Sequence, residues 1–320
     1  MKIITSKSVN KRKVIENADI PTIVDGQVLI KIHNAGINQL DLTQAQNFKK
    51  IDEKILGVEI SGEIVASKSD QVAVGQRVAA LLDQGGYAEY VATSASRVMP
   101  IPDDINYRQA ASIPESYLSA YQALFNIGKL ENNQSVLIHA GDSSVGLAAI
   151  QLAKNLTNAK VITTSSGDKT KLCVNNGADN SIDYETQNFA EEVSTLTNEQ
   201  GVSLILDFVG ASYFQQNIDS LAIDGKLVLI GNLDSNEVKK VDLLQIIMKR
   251  LTITGTLLSS RSDAYKDQLI ESFNQNTKAM FDEQALTPTF NKVFQMEDVK
   301  LAYKYINSGQ NVGKVLLEME

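Results

Sequence analysis

The chain offers little raw material for metal or disulfide chemistry. Cys173 is its only cysteine, so neither an intramolecular disulfide nor a cysteine-rich zinc site can form. His33 and His139 are its only histidines, and a metal centre would need mostly carboxylate ligands. No window approaches the roughly 18 apolar residues of a membrane span, and Met1 to Asn10 contains no long apolar stretch. The expectation is a soluble, cytoplasmic protein with no membrane partner. Basic residues are in deficit, 30 Lys and Arg against 38 Asp and Glu, which argues against a nucleic-acid backbone as main partner. The Lys11–Arg12–Lys13 cluster is short and reads as solvated surface.

What is present is a globular composition, 43% apolar and 21% charged, over 320 residues, enough for two domains. Residues 1–117 carry short strand-like runs, Val28 to Ile32, Gly57 to Val65, Gln76 to Leu82 and Tyr87 to Val91, bounded by Gly, Asp or Pro. That spacing suggests an antiparallel, barrel-like domain. From 118 to 258 strand and helix patterns alternate. Val136 to His139, Lys160 to Thr164, Val202 to Asp207, Lys226 to Ile230 and Leu251 to Leu257 read as strands. Leu147 to Asn155, Lys169 to Asn176 and Tyr213 to Ala222 read as helices. Such a βαβ series implies a doubly wound parallel sheet, giving an α/β fold class. Residues 259–320 hold a helical stretch at Ala264 to Asn274, an extended Phe290 to Phe294, a helix near Glu297 to Ser308 and a strand at Gly313 to Leu317. This tail is expected to return to the first domain.

The loop His139–Ala140–Gly141–Asp142–Ser143–Ser144–Val145–Gly146 lies between a strand and a helix, where a doubly wound sheet presents amides and a helix N-terminus to a dinucleotide. Gly141 and Gly146 fill the outer positions of the G-x-G-x-x-G template and Ser143 takes the middle one. The bland alternative is a tight turn. Asp142 is awkward, because a carboxylate beside a diphosphate is repulsive unless it points away. NAD-binding sheets usually end their second strand in an acidic residue that holds the ribose hydroxyls. Here that strand leads into Ser165–Ser166–Gly167–Asp168–Lys169. Hydroxyls and an ammonium suit a 2′-phosphate, so NADPH is the expected cofactor. Ser166 is also expected to cap the next helix, which is compatible with that role.

Ile113–Pro114–Glu115, Tyr117–Leu118–Ser119–Ala120–Tyr121 and the run from Val136 through Ala153 resemble the zinc-free quinone oxidoreductase branch of the medium-chain dehydrogenase/reductase superfamily. Within it the likeness is to the tumour-suppressor-inducible quinone oxidoreductases and their bacterial relatives, with zeta-crystallin further off. Leu204 to Asp207, Gly210, Leu221 to Gly225 and Asn311–Val312–Gly313–Lys314 extend the resemblance over most of the chain. It implies a GroES-like catalytic domain, a Rossmann domain and a homodimer paired through the Rossmann sheet edges. By motif, it implies that Ser119 lies near the nicotinamide and that Ser143, Ser144 and Val145 approach the diphosphate. Ser166 and Lys169 would face the 2′-phosphate and Tyr184 the adenosine. Gly210, Gly231 and Asn232 would border the nicotinamide half.

Zinc-dependent relatives place a Cys where this chain has Asn38 and a His–Glu pair where it reads Val58–Glu59, so the set of about three protein ligands that catalytic zinc needs is incomplete. Without a metal, the acceptor must already be electrophilic. A quinone qualifies because reduction restores aromaticity, and an enone or enal also qualifies. A simple ketone would need help with its developing alkoxide. Asn38 is the candidate polar residue beside the chemistry, or else it only ties the turn into the next helix. Asp41 reads as a cap or structural partner. Phe48 stands where relatives often have a tyrosine at the nicotinamide. His139 reads as a hydrogen-bonded core histidine and Cys173 as a packed one. The expected activity is NADPH:quinone reduction. The alternatives are an enone or enal double-bond reductase, or a non-catalytic NADPH-binding sensor or RNA-binding protein.

Overall fold

The computed structural model describes residues 1–12, 14–47 and 53–319. The chain folds as two compact units, Met1–Leu118 with Arg261–Glu320, and Ser119–Ser260.

The first unit is built on one long strand, Gln27–Ile37, in which Val28, Ile30 and Ile32 alternate inward with half-exposed or exposed neighbours. Glu59–Ser67 and Tyr90–Ser94 pair with it antiparallel, Arg77–Leu81 pairs with Glu59–Ser67, and Val98–Pro100 with Arg77–Leu81. The tail does return: Lys314–Glu318 runs antiparallel to Gln27–Ile37 and carries Phe290–Gln295 as a parallel neighbour. Two register shifts against Glu59–Ser67 bend the long strand. The core gathers Ile30, Ile60, Ile64, Val78 and Leu317 from these strands. The helix Asp263–Asp282 runs well past the Ala264 to Asn274 expected from sequence. The polar run after Phe273 conceals a continuing stripe, because Thr277 and Phe281 are buried and Thr277 Oγ1 donates to the Phe273 carbonyl. Arg97, itself buried, anchors this helix through Asp263 at 2.6 Å and Asp267 at 2.7 Å.

The second unit is a six-stranded, all-parallel sheet in the order Asn180–Asp183, Lys160–Ser165, Ser135–Ile138, Val202–Asp207, Leu221–Leu229, Thr252–Gly255. Counted within the unit this is 3-2-1-4-5-6, the Rossmann order, and its switch point falls between Ser135–Ile138 and Val202–Asp207. Leu137, Ile162, Ile205 and Leu227 form its apolar middle. The helix read from Tyr213 to Ala222 stops at Ser220. Leu221 instead opens a strand, where it pairs with Val202 and is buried. Gln39–Gln46 is the helix that Asn38 leads into, and Phe189–Leu196 is a helix not expected from sequence. A π-helical turn, Gln122–Ile127, follows the helix Pro114–Tyr121.

Candidate active site

In the first unit the strand ends gather a closed polar cluster. Lys314 Nζ lies 2.6 Å from Glu59 Oε1 and donates to Asn38 Oδ1 at 2.7 Å. Asn38 Nδ2 donates to the same Glu59 oxygen at 2.8 Å. Glu59 Oε2 accepts from the Glu115 amide at 2.9 Å, at the start of Pro114–Tyr121, where the helix dipole favours an anion. Lys314 is 1% and Glu59 0% exposed, so the two charges have only each other and these bonds in place of water. Gly36 makes the room: a Cβ there would meet Glu59 Oε1 at 2.2 Å. Each end of the Asn38 amide therefore has a partner in this ion pair. Of the three motif positions associated with zinc, Asn38 and Glu59 are bound to an ammonium and the third is the apolar Val58. Among the described residues no group of three or more His, Cys, Asp and Glu is placed to hold a metal ion.

Asp41 sits directly behind this cluster. It accepts from the Asn38 amide at 2.9 Å and from the Gly57 amide at 3.0 Å, so one carboxylate joins the two segments that carry Asn38 and Glu59. This is the structural role expected of it. Complete burial pushes its carboxyl up to about 6, against the opposing pull of those two amides. Phe48 lies outside the described residues.

In the second unit the loop after Ser135–Ile138 turns through Ala140, whose φ is 47°. Gly141 and Gly146 are glycines for packing. A Cβ at Gly141 would meet Thr163 Cβ at 2.8 Å, and one at Gly146 would meet the Ala140 carbonyl at 2.4 Å. Ser143 caps the helix Ser144–Thr157, its Oγ accepting from the Gly146 amide at 3.0 Å. The first-turn amides of Ser144 and Val145 have no intrahelical acceptor. Asp142 does point to a partner of its own, Lys169 Nζ at 2.9 Å. The sequence places these two residues far apart and gives no hint of their pairing.

The end of the second strand differs in detail from the expectation. Ser165 is fully buried, with its Oγ 3.0 Å from Ser181 Oγ, so its hydroxyl is turned inward. Ser166 does not cap the next helix with its side chain. Lys169 donates its amide to the Ser166 carbonyl at 3.0 Å, and Asp168, which holds the cap position with helical φ and ψ, makes no side-chain cap bond. Tyr184 follows Asn180–Asp183 and is 45% exposed, its ring edge-on to Tyr213. Gly210, with φ 101°, and Asn232 are brought together: a Cβ on Gly210 would meet Asn232 Oδ1 at 2.8 Å. A Cβ on Gly231 would meet the Phe208 carbonyl at 2.9 Å. Ser119 is buried in the helix Pro114–Tyr121.

Residues 24–103 match the alcohol dehydrogenase GroES-like domain and residues 144–275 the zinc-binding dehydrogenase model. With the seven-stranded sheet of the first unit and the 3-2-1-4-5-6 sheet of the second, these matches define an oxidoreductase: the chain belongs to the medium-chain dehydrogenase/reductase superfamily, with a GroES-like and a Rossmann domain. It is 28% identical over 316 residues to quinone oxidoreductase-like protein 2 of Bos taurus, covering 96% of this chain and 89% of that protein. Its structure is similar to that of the CurK enoyl reductase, with a TM-score of 0.84, 26% identity and coverage of 96% and 95%. It is also similar to a mycobacterial protein solved with NADPH, with a TM-score of 0.83, 27% identity and 99% coverage of both chains.

Proposed function

We propose that this chain is an NADPH-dependent reductase that works without a metal and passes a hydride directly to an already electrophilic acceptor, a quinone in the first instance. The observation that carries the reading is the loop at the sheet's switch point. Gly141 and Gly146 keep it tight, Ser143 caps the helix, and the first-turn amides of Ser144 and Val145 are left to meet a diphosphate. These residues fit a dinucleotide. The end of the second strand carries no acidic side chain, and Lys169, which pairs with Asp142 of the diphosphate turn, is the cation beside it that would exchange that partner for a 2′-phosphate. Bound there, NADPH would supply the hydride, and the protein's part is to place it and exclude water.

Asn38, Glu59 and Lys314 complete the picture. Their charges are internally balanced and leave no open metal position, so an acceptor that needs no Lewis acid is the consistent substrate class. A conjugated enone or enal is the second reading, favoured by the likeness to an enoyl reductase. The test is a panel of ortho- and para-quinones beside conjugated enones, with NADPH and a chelator present. Quinone turnover that survives the chelator is expected. Turnover of enones alone moves the assignment to the second reading, and loss of all turnover with the chelator overturns it.

The same reading includes a homodimer. Thr252–Gly255 is the sheet's edge strand, and the preceding helix Leu243–Met248 exposes Leu243, Leu244, Ile247 and Met248, each at least 63% accessible. Exposed apolar side chains and an edge strand suit a second copy of the chain. Light scattering should report twice the chain mass, falling to one chain mass in Ile247→Glu. A monomeric parent protein contradicts this part.

A further inference from the structure

Behind the dinucleotide loops lies a buried chain of polar side chains that no step of the proposed reaction uses. Thr164 Oγ1 is 2.9 Å from His139 Nδ1, and His139 Nε2 is 2.7 Å from Asn217 Oδ1. Asn217 Nδ2 donates to Asp207 Oδ2 at 3.0 Å. Asp207 Oδ1 accepts from the amides of Val209 at 2.7 Å and Gly210 at 3.2 Å. Thr164, His139, Asn217 and Asp207 are each no more than 1% exposed.

The directions of these bonds are fixed by chemistry. The Asp207 carboxylate can only accept, so Asn217 must present its amide nitrogen there and its oxygen to His139. His139 Nε2 must then carry the proton, which leaves Nδ1 as an acceptor for the Thr164 hydroxyl. Burial, the strongest influence, lowers the basicity of His139, and the rings of Phe189 and Tyr213 pack edge-on against it. Every donor in the chain has one acceptor, and the only charge is at the Asp207 end.

The ends of this chain are the loops themselves. The Thr164 carbonyl accepts from the Gly141 amide at 2.9 Å, the first glycine of the diphosphate turn. His139 is the residue at which that turn leaves its strand, and its amide donates to the Leu206 carbonyl at 3.1 Å. Asp207 closes the turn that sets the positive φ of Gly210. We propose that Thr164, His139, Asn217 and Asp207 form a one-way hydrogen-bond relay that locks the diphosphate turn, the end of the second strand and the Gly210 turn into one preformed dinucleotide cradle, with His139 a positioning residue. This rests on reading the groove as a dinucleotide site. The relay lowers the cost of ordering three loops when the cofactor binds.

Two measurements test it. The first needs no cofactor. With only two histidines in the chain, ¹⁵N NMR of the histidine-labelled protein, with His33→Gln for assignment, reads the His139 tautomer directly. A neutral Nε2–H ring from about pH 6 to pH 8 is expected, and an Nδ1–H or charged ring overturns the relay. The second compares Thr164→Val, which keeps the shape and loses the hydroxyl, with Thr164→Ser, which keeps the hydroxyl. The valine variant should bind NADPH about threefold to tenfold more weakly, the equivalent of one hydrogen bond. The serine variant should stay within about twofold of the parent protein, and kcat at saturating NADPH should be unchanged in both. Valine binding equal to the parent overturns the relay, as does an equal loss in both variants. A parent protein that binds no dinucleotide at all overturns the functional reading, and this inference with it.

Discussion

The two units each bury a polar cluster at the ends of their strands, and the clusters are built on opposite plans. The first unit encloses two full charges, Lys314 and Glu59, in a closed ring with Asn38. The sheet unit encloses one charge, Asp207, and connects it to Thr164 through a neutral imidazole and an amide. The first plan makes each member depend on the others, because removing one charge strands its partner out of water. The second spreads its cost over neutral hydrogen bonds, each worth little alone, and its value lies in the loops it ties together. The cluster of the first unit should therefore report in stability and the relay in ligand binding.

The largest effect expected from that contrast is on Lys314. Lys314→Met leaves Glu59 buried and uncompensated and should destabilise the protein by about 3–5 kcal/mol. Adding Glu59→Leu should restore much of that loss, because the pair is then removed together. Urea denaturation measures both, and a double variant as unstable as the sum of two singles breaks the comparison.

Next in size is Asp41. Its carboxyl, raised to about 6 by burial from an ordinary 3.8, binds a proton more tightly in the native than in the unfolded state. Its stabilising contribution is thus full below about pH 4 and is lost as the pH rises through about 6. Relative to Asp41→Asn, the parent protein should lose up to roughly 3 kcal/mol between pH 4 and pH 7. Urea melts of both proteins across that range give the difference, and a flat or rising difference contradicts the buried-acid account.

The smallest effect is in the sheet unit. Asp142→Asn removes the Lys169 ion pair and a carboxylate from the diphosphate turn, which should tighten NADPH binding by about 1 kcal/mol and do less for NADH. Calorimetric titration at low and moderate salt checks it, since the gain should shrink as salt screens the charges.

Much of the fold was legible because its signals are local. The alternation of Val28, Ile30 and Ile32 and the Val202 to Asp207 run mark strands by period and composition alone. The glycine loop could be located because a tight strand-to-helix turn constrains its own few residues. Partnerships across long separations left no such mark. Asn38 could be singled out, but the side chain that claims it is 276 residues away. A lysine heading the apolar run Val315–Leu316–Leu317 was the available hint, since a cation in a buried strand needs a buried anion. His139 was readable as a bonded core histidine, whereas Thr164 and Asn217, which fix its tautomer, were not. Asp142 looked awkward only because its partner Lys169 belongs to the next βα turn.

The most direct test of the central claim is the ratio of kcat/KM for NADPH over NADH with a para-quinone acceptor and a chelator present. The account predicts a ratio of about ten or more, the worth of one well-placed charge-assisted contact to the 2′-phosphate. A ratio of one or less would contradict it.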